Sequence, residues 1–201
     1  MTDITVLERD RMIYISLTII LLVLGIAFMY FGPLVFPTPS KVLSGSIFII
    51  AGFAIILSSI LSIYPKIAGL DRAIKYYEIA KELGFNIIEI SEERLIGEKG
   101  NVFICGYEEI DGLFFIKFEK IGKKKDEFFL PSISKSKIHE IFDGIKGAYI
   151  ESYVSIPIKE KIICGEAKVV FIPLSELKSI FDNDMIGSLR KYIKDKLSVE
   201  I

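Results

Sequence analysis

The sequence predicts an α+β protein: an N-terminal two-helix transmembrane hairpin followed by a cytoplasmic domain with a mainly antiparallel sheet and flanking helices. Three observations carry this reading. Ile13 to Gly32 and Val42 to Tyr64 are apolar runs without a single charge, and each reaches the about 20 residues that a helix needs to cross a hydrocarbon core. From Pro65 onward, charged residues interrupt the apolar runs, as in a chain that folds in water. In that second part strand-like runs are flanked by a few helices without regular alternation, the pattern of an α+β domain.

Composition agrees with the split. Of 201 residues 51% are hydrophobic, and the mean hydropathy of +0.48 is too high for an ordinary soluble domain. The excess lies before residue 65. The 25 basic and 26 acidic residues leave a net charge of −1, so no strongly basic face is expected and nucleic acid is not an expected partner. Abundant Ile, a preference for Lys over Arg, and the absence of Gln and Trp fit an AT-rich, heat-adapted archaeal or bacterial source.

The predicted organisation is a cytoplasmic tail over 1–12, the hairpin over 13–64 with spans 13–32 and 42–64 and an external loop 33–41, a hinge over 65–70, and the α+β domain over 71–201. Flanking charge sets the orientation. Arg9 and Arg11 precede the first span, Lys66, Arg72, Lys75 and Lys81 follow the second, and the loop holds only Lys41. Both termini are therefore expected in the cytoplasm of a multi-pass cell-membrane protein. A cleaved signal peptide is disfavoured because the first apolar run is too long and no small-residue cleavage site follows it. Tyr14, Tyr30 and Tyr64 fall near span ends, where amphipathic rings meet headgroups.

Neither span contains an Asp, Glu, Lys, Arg or His, so no ion or proton path is expected. Span two instead carries small residues: Gly45, Gly52 and Ser59 recur every seven, and Ala54, Ser58 and Ser62 every four. Such spacing lets helix backbones approach closely. Gly25 and Thr18 are the candidate matching surface for packing within the hairpin. The alternative is contact with a second copy or another membrane protein.

Pro65 and Gly69 predict the hinge, after which Asp71 is a candidate N-cap. Ile74, Tyr77, Ala80 and Leu83 then form one helical face, and Gly84 is its stop. Strands are expected at Phe85–Ile90, Asn101–Tyr107 and Leu113–Phe118, the last turning through 122–126 into a hairpin partner at Phe128–Leu130. A short helix follows over Ser134–Phe142. Tyr149–Ile156 alternates, with Ile150, Val154 and Ile156 on one side and Tyr149, Glu151 and Tyr153 on the other. Ile162–Ile172 is the next strand, with a bulge expected at Gly165. A C-terminal helix opens near Ser175, breaks at Asp182–Asp184, and resumes with Ile186, Leu189, Ile193 and Leu197.

Chemistry-bearing motifs are sparse. Gly122 and Lys123 lack the rest of a phosphate loop, and no dinucleotide fingerprint occurs. Asp182, Asn183, Asp184 and Gly187 resemble a calcium loop, but Ile186 stands at a ligand position and the closing Glu is missing. His139 is the only histidine, which excludes a multi-histidine metal site, and its setting is that of a surface residue. Cys105 and Cys164 are expected as reduced, buried thiols on neighbouring strands, with a disulfide between them as the alternative in a heat-adapted cell. Glu108, Glu109 and Asp111, and Glu92 and Glu93 beside Arg94, form two acidic clusters expected to be solvated turns. Lys120 and Lys123 to Lys125 form a basic knot at a hairpin tip. No catalytic residue, metal site or cofactor is predicted.

Three function classes remain: a membrane-tethered interaction or ligand-sensing module, an accessory or assembly subunit of a larger membrane complex, and a membrane-tethered enzyme without a recognisable motif. The lipid bilayer is the one partner expected in all three.

Overall fold

The computed structural model describes residues 4–35, 41–122, 128–130, 135–142, 147–179 and 185–201. Two compact units divide at Asp71, the first being Thr5–Asp71 and the second holding Arg72–Ile201.

The first unit consists of helix α1 (Ile4–Val35) and most of helix α2 (Lys41–Glu82). No charge occurs from Met12 to Val35 or from Val42 to Pro65, which at 1.5 Å per residue is about 36 Å of apolar helix. Large apolar side chains along both helices face outward, with Val23 60%, Phe53 60% and Leu61 67% exposed. A helix that is apolar all round belongs either in a protein core or in lipid. These two are not core helices, and they are long and apolar enough to cross a membrane.

Charged groups collect at one end of this pair. Arg11 forms an ion pair with Asp71, and the Lys66 ammonium lies 5.3 Å from the Tyr14 ring centroid. The structure corrects three expectations here. Residues 4–12 are helical rather than a tail, because good helix formers such as Leu7, Glu8, Arg9 and Arg11 extend α1 backward. Pro33 lies within α1 and not in a loop; residues 36–40, including Pro37 and Pro39, lie outside the described residues. The hinge at 65–70 is absent: α2 runs through it with Pro65 inside the helix. Proline removes the N–H that would bond the Leu61 carbonyl, a loss that long apolar helices absorb without breaking. Asp71 is accordingly an ion-pair partner and not an N-cap.

The second unit begins with the last turns of α2. Ala73, Tyr76, Ile79, Ala80 and Leu83 are buried, whereas Ile74 and Tyr77 are half-buried, so the inward face is rotated by one residue from the expected one. Gly84 ends the helix at φ 81°. Its N–H reaches the Lys81 carbonyl at 2.9 Å and that of Phe85 the Ala80 carbonyl at 2.8 Å, the paired bonds of a glycine C-terminal cap.

Strands β1 (Asn86–Ile90), β2 (Arg94–Lys99), β3 (Val102–Tyr107), β4 (Ile110–Ile121), β5 (Phe128–Phe129), β6 (Ala148–Ile158) and β7 (Lys161–Pro173) follow, with α3 (Lys135–Phe142) before β6 and α4 (Leu174–Ser179) and α5 (Met185–Leu197) after β7. They form one sheet in the order β1-β2-β3-β4-β7-β6-β5. All neighbours are antiparallel except the two-residue β5, which runs parallel to β6.

Strand β4 is central, and Leu113, Phe114, Phe115 and Ile116 have no exposed surface. On one face the rings of Phe114, Phe142 and Phe171 pack together, with Phe114 and Phe171 centroids 4.6 Å apart, and Ile138 of α3 joins them. On the other, Phe115 meets Phe85 at 6.3 Å. Helices α4 and α5 lie against β7.

Four more expectations are corrected. β2 falls where only an acidic turn was expected. β5 is no hairpin partner of β4, whose neighbours are β3 and β7; it sits at the far edge of the sheet. The bulge lies in β4 between Phe118 and Lys120, opposite Ala167 and Glu166, while Gly165 is glycine because a Cβ there would collide with the Lys120 carbonyl. Cys105 and Cys164 are on β3 and β7, separated by β4, and both are free thiols.

Gly106 on β3 is set by α2. A Cβ at this position would overlap the Tyr76 ring, whose hydroxyl donates to the Ile110 carbonyl at 3.2 Å. Residues 67–201 expressed alone should be soluble and unfold cooperatively on heating. Gly106→Ala in that fragment should lower stability by about 1–3 kcal/mol through overpacking against Tyr76. An unchanged circular-dichroism melting curve for Gly106→Ala would contradict the packing described.

Candidate functional site

A polar cavity opens where two turns of the sheet meet. The β1–β2 turn carries Ser91, Glu92 and Glu93, and the β3–β4 turn carries Glu108 and Glu109. The Glu108 N–H donates to the Glu93 carbonyl at 2.7 Å, which holds the turns together. Arg72 supports them from α2, donating to the Glu108 carbonyl and standing 3.7 Å from the Asp111 carboxylate. Strand register then places Arg94 opposite Tyr107, and Ile96 opposite both Glu89 and Cys105. Glu89, Arg94 and Tyr107 therefore share one face of the sheet. The resulting cavity has a volume of about 430 Å³, with Glu93, Glu108 and Glu109 on its exposed rim and Glu89, Arg94, Tyr107 and Ile110 deeper.

The deeper groups are unevenly satisfied. Arg94 donates its Nε–H to Glu89 Oε1 at 2.7 Å, and its Nη2 stands in ion-pair contact 2.7 Å from the same oxygen. The other oxygen, Oε2, is buried and has no partner among the described residues. Tyr107 is 6% exposed, and its hydroxyl meets no nitrogen or oxygen partner among the described residues, only the weakly hydrogen-bonding Cys105 thiol. Burial pushes the Tyr107 phenol far above its ordinary range, the Cys105 and Glu89 groups add to the rise, and Arg94 opposes it. Tyr107 is thus a neutral hydroxyl that can donate or accept. Behind it, burial pushes the Cys105 thiol up to about 12, against the opposing influence of Tyr107 and Arg94. Ser91 is engaged in shaping the turn: its Oγ accepts from the Arg94 N–H at 3.2 Å.

Among the described residues no three His, Cys, Asp or Glu side chains converge as a metal site. A second hollow of about 400 Å³ lies over β4, β6 and β7. Three of its lining charges are paired, Lys168 standing 3.7 Å from Glu119 and 3.9 Å from Glu151. It offers no comparable unpartnered group.

Of the two acidic clusters, expected as separate solvated turns, Glu93, Glu108 and Glu109 are brought together at one cavity, while Glu92 does not line it and Asp111 turns to Arg72. Glu89 and Tyr107 were not anticipated. The usable signal was alternation in β3, which puts Phe103, Cys105 and Tyr107 on one face and leaves a polar atom at its end. Cys164 is half-buried, with its thiol 3.0 Å from the Gly122 carbonyl. The side chain of His139, the basic residues Lys123 to Lys125, and the Asp182–Asp184 break lie outside the described residues.

In the first unit the small residues fall into two groups. Gly25 and Gly52 face each other: a Cβ on Gly52 would lie 2.5 Å from the Gly25 carbonyl oxygen and 2.5 Å from Met29 Cγ, and one on Gly25 would lie 3.0 Å from the Gly52 oxygen. Ser59 is 2% exposed and donates to the Ile55 carbonyl at 2.8 Å, and half-buried Thr18 donates likewise to Tyr14. Ala54, Ser58 and Ser62 are exposed. Gly45 is helical, but its surroundings lie outside the described residues.

No protein-family model matches this chain, and neither a curated protein nor a solved structure matches it.

Two outcomes are expected. Gly52→Leu forces α1 and α2 apart and should lower thermal stability in detergent by about 1–3 kcal/mol, while Ala54→Leu on the exposed side should stay within about 0.5 kcal/mol; equal effects would remove the close approach as the reason. A maleimide at pH 8 should modify native Cys164 before Cys105, read by peptide mass spectrometry. The raised Cys105 pKa adds a pH dependence of known sign: its contribution to stability is complete below the ordinary thiol value of 9.0 and is lost as pH rises toward about 12.

Proposed function

We propose that this chain is a multi-pass protein of the cell membrane whose second unit, in the cytoplasm, is a small-molecule sensing module with its site at the Glu89–Arg94–Tyr107 cavity. The observation that carries the reading is a pair of buried groups at that cavity, Glu89 Oε2 without a partner among the described residues and the Tyr107 hydroxyl with no nitrogen or oxygen partner there. Leaving such groups without partners costs about 1–3 kcal/mol each, and more when charged. A bound ligand that completes them recovers that energy, so the site favours occupancy. The volume lies in the range of small-molecule pockets, and the bond between the Glu93 and Glu108 main chains preforms it.

Arg9 and Arg11 on one flank and Lys66 and Arg72 on the other support the orientation with both termini inside, with lipid as the first partner. The orientation test is cysteine substitution at Thr38 in a background lacking Cys105 and Cys164. Labelling of intact cells by an impermeant thiol reagent is expected, and labelling only after lysis overturns the topology. The sensing test uses full-length protein in lipid nanodiscs, equilibrated with a small-molecule extract and read by native mass spectrometry. A bound species is expected in the natural protein and lost in Tyr107→Phe and in Glu109→Trp, which crowds the mouth. Retention in both variants would place the ligand elsewhere.

A second reading, an accessory subunit of a membrane complex or a self-associating protein, is favoured by the exposed stripe Ala54, Ser58 and Ser62 on α2. If it holds, Ala54→Leu abolishes crosslinked species in membranes without changing thermal stability.

A further inference from the structure

Resting on the sensing reading, we infer that the ligand of this cavity is a small organic cation, a protonated primary amine. The walls hold four carboxylates, those of Glu89, Glu93, Glu108 and Glu109, against the single guanidinium of Arg94. That guanidinium directs two of its nitrogens to Glu89 Oε1, so it is a poor receptor for an anion. What the deep wall lacks is a donor. A carboxylate oxygen only accepts, and Glu89 Oε2 is buried without a partner among the described residues, while the Tyr107 hydroxyl meets only the weak Cys105 thiol and keeps a lone pair to accept with. An ammonium group has three N–H donors, enough for both. The rim carboxylates raise the local concentration of any cation by their field. A metal ion fits less well, since no three ligating side chains converge among the described residues.

Full-length protein in neutral-lipid nanodiscs tests this by isothermal titration with three four-carbon probes of similar length: putrescine, 1,4-butanediol and succinate. Putrescine alone should bind saturably, with affinity falling as salt rises. Glu89→Gln should weaken it about tenfold or more, as removal of a charged acceptor from a buried site does. Because Glu89→Gln also deprives Arg94 of its partner and can disturb the fold, the rim pair Glu93→Gln/Glu109→Gln is the second arm; it leaves the deep wall intact and should weaken putrescine severalfold while flattening the salt dependence. Binding of butanediol or succinate as strong as that of putrescine overturns the cation assignment and leaves the sensing reading standing. Binding of none of the three overturns the assignment as well, and the sensing reading is then decided by the extract experiment. Putrescine binding that is unchanged in both variants assigns it to another part of the protein and overturns the inference.

Discussion

A strand buried on both faces can satisfy its backbone only through neighbouring strands, and β4 imposes that requirement on the second unit. Leu113 to Ile116 have no contact with solvent, so every peptide group there must be bonded within the sheet. β3 pairs with it through the short turn at Glu108 and Glu109, and β7, the last strand in sequence, completes the other side. The aromatic faces follow from this placement. Phe114 and Phe115 point to opposite sides because successive side chains alternate, and each recruits its own layer, Phe171 and Phe142 on one side and Phe85 on the other. The site inherits its position from the same strand, since Ile110, at the start of β4, forms part of the cavity wall and its carbonyl anchors Tyr76.

What was legible in the sequence follows from how local each cause is. The long apolar helices are written in the absence of charge over consecutive residues, and the alternation of β6 is equally local where it holds: Tyr149 and Glu151 are exposed about half-buried Ile150, but Val154, Ser155 and Ile156 are all buried. β2 was not legible, because Leu95, Ile96 and Gly97 are all buried and Arg94 and Lys99 bracket them, so the run neither alternates nor looks continuously apolar. The continuation of α2 through Pro65 was hidden for the opposite reason. Proline and Gly69 are strong local signals for a break, and a long helix with most of its bonds intact overrides them. The edge position of β5 is a matter of topology, set by which strands close on β4 and not by the residues of β5.

The cavity was out of reach for a further reason. Its walls come from β1, the start of β2, the end of β3 and the following turn, and no spacing in the chain announces that Glu93 and Glu108 will be joined by a main-chain bond. Acidic residues in turns read as solvated, and for Glu93, Glu108 and Glu109 taken singly that is what they are: exposed rim residues. Their meaning changes only when the antiparallel register of β2 and β3 sets Arg94 against Tyr107. A turn charge is unremarkable alone, whereas three at the mouth of a cavity that ends in unpartnered polar atoms define a direction for the field.

The geometry of the Glu89–Arg94 pair decides how that field is used. Had Arg94 met both carboxylate oxygens in a two-pronged arrangement, the pair would be saturated and the deep wall inert. Here both nitrogens converge on Oε1, so the guanidinium balances the charge of Glu89 while leaving Oε2 open as an acceptor. Neutralised yet unsatisfied, the carboxylate avoids the full penalty of an isolated buried charge and still retains a demand for one donor. Tyr107, kept protonated by its burial, stands on the same face with the second open group. On the sensing reading proposed above, affinity comes from hydrogen-bond completion at the deep wall and selection by charge from the rim, so the two contributions rest on different residues and are separable by substitution.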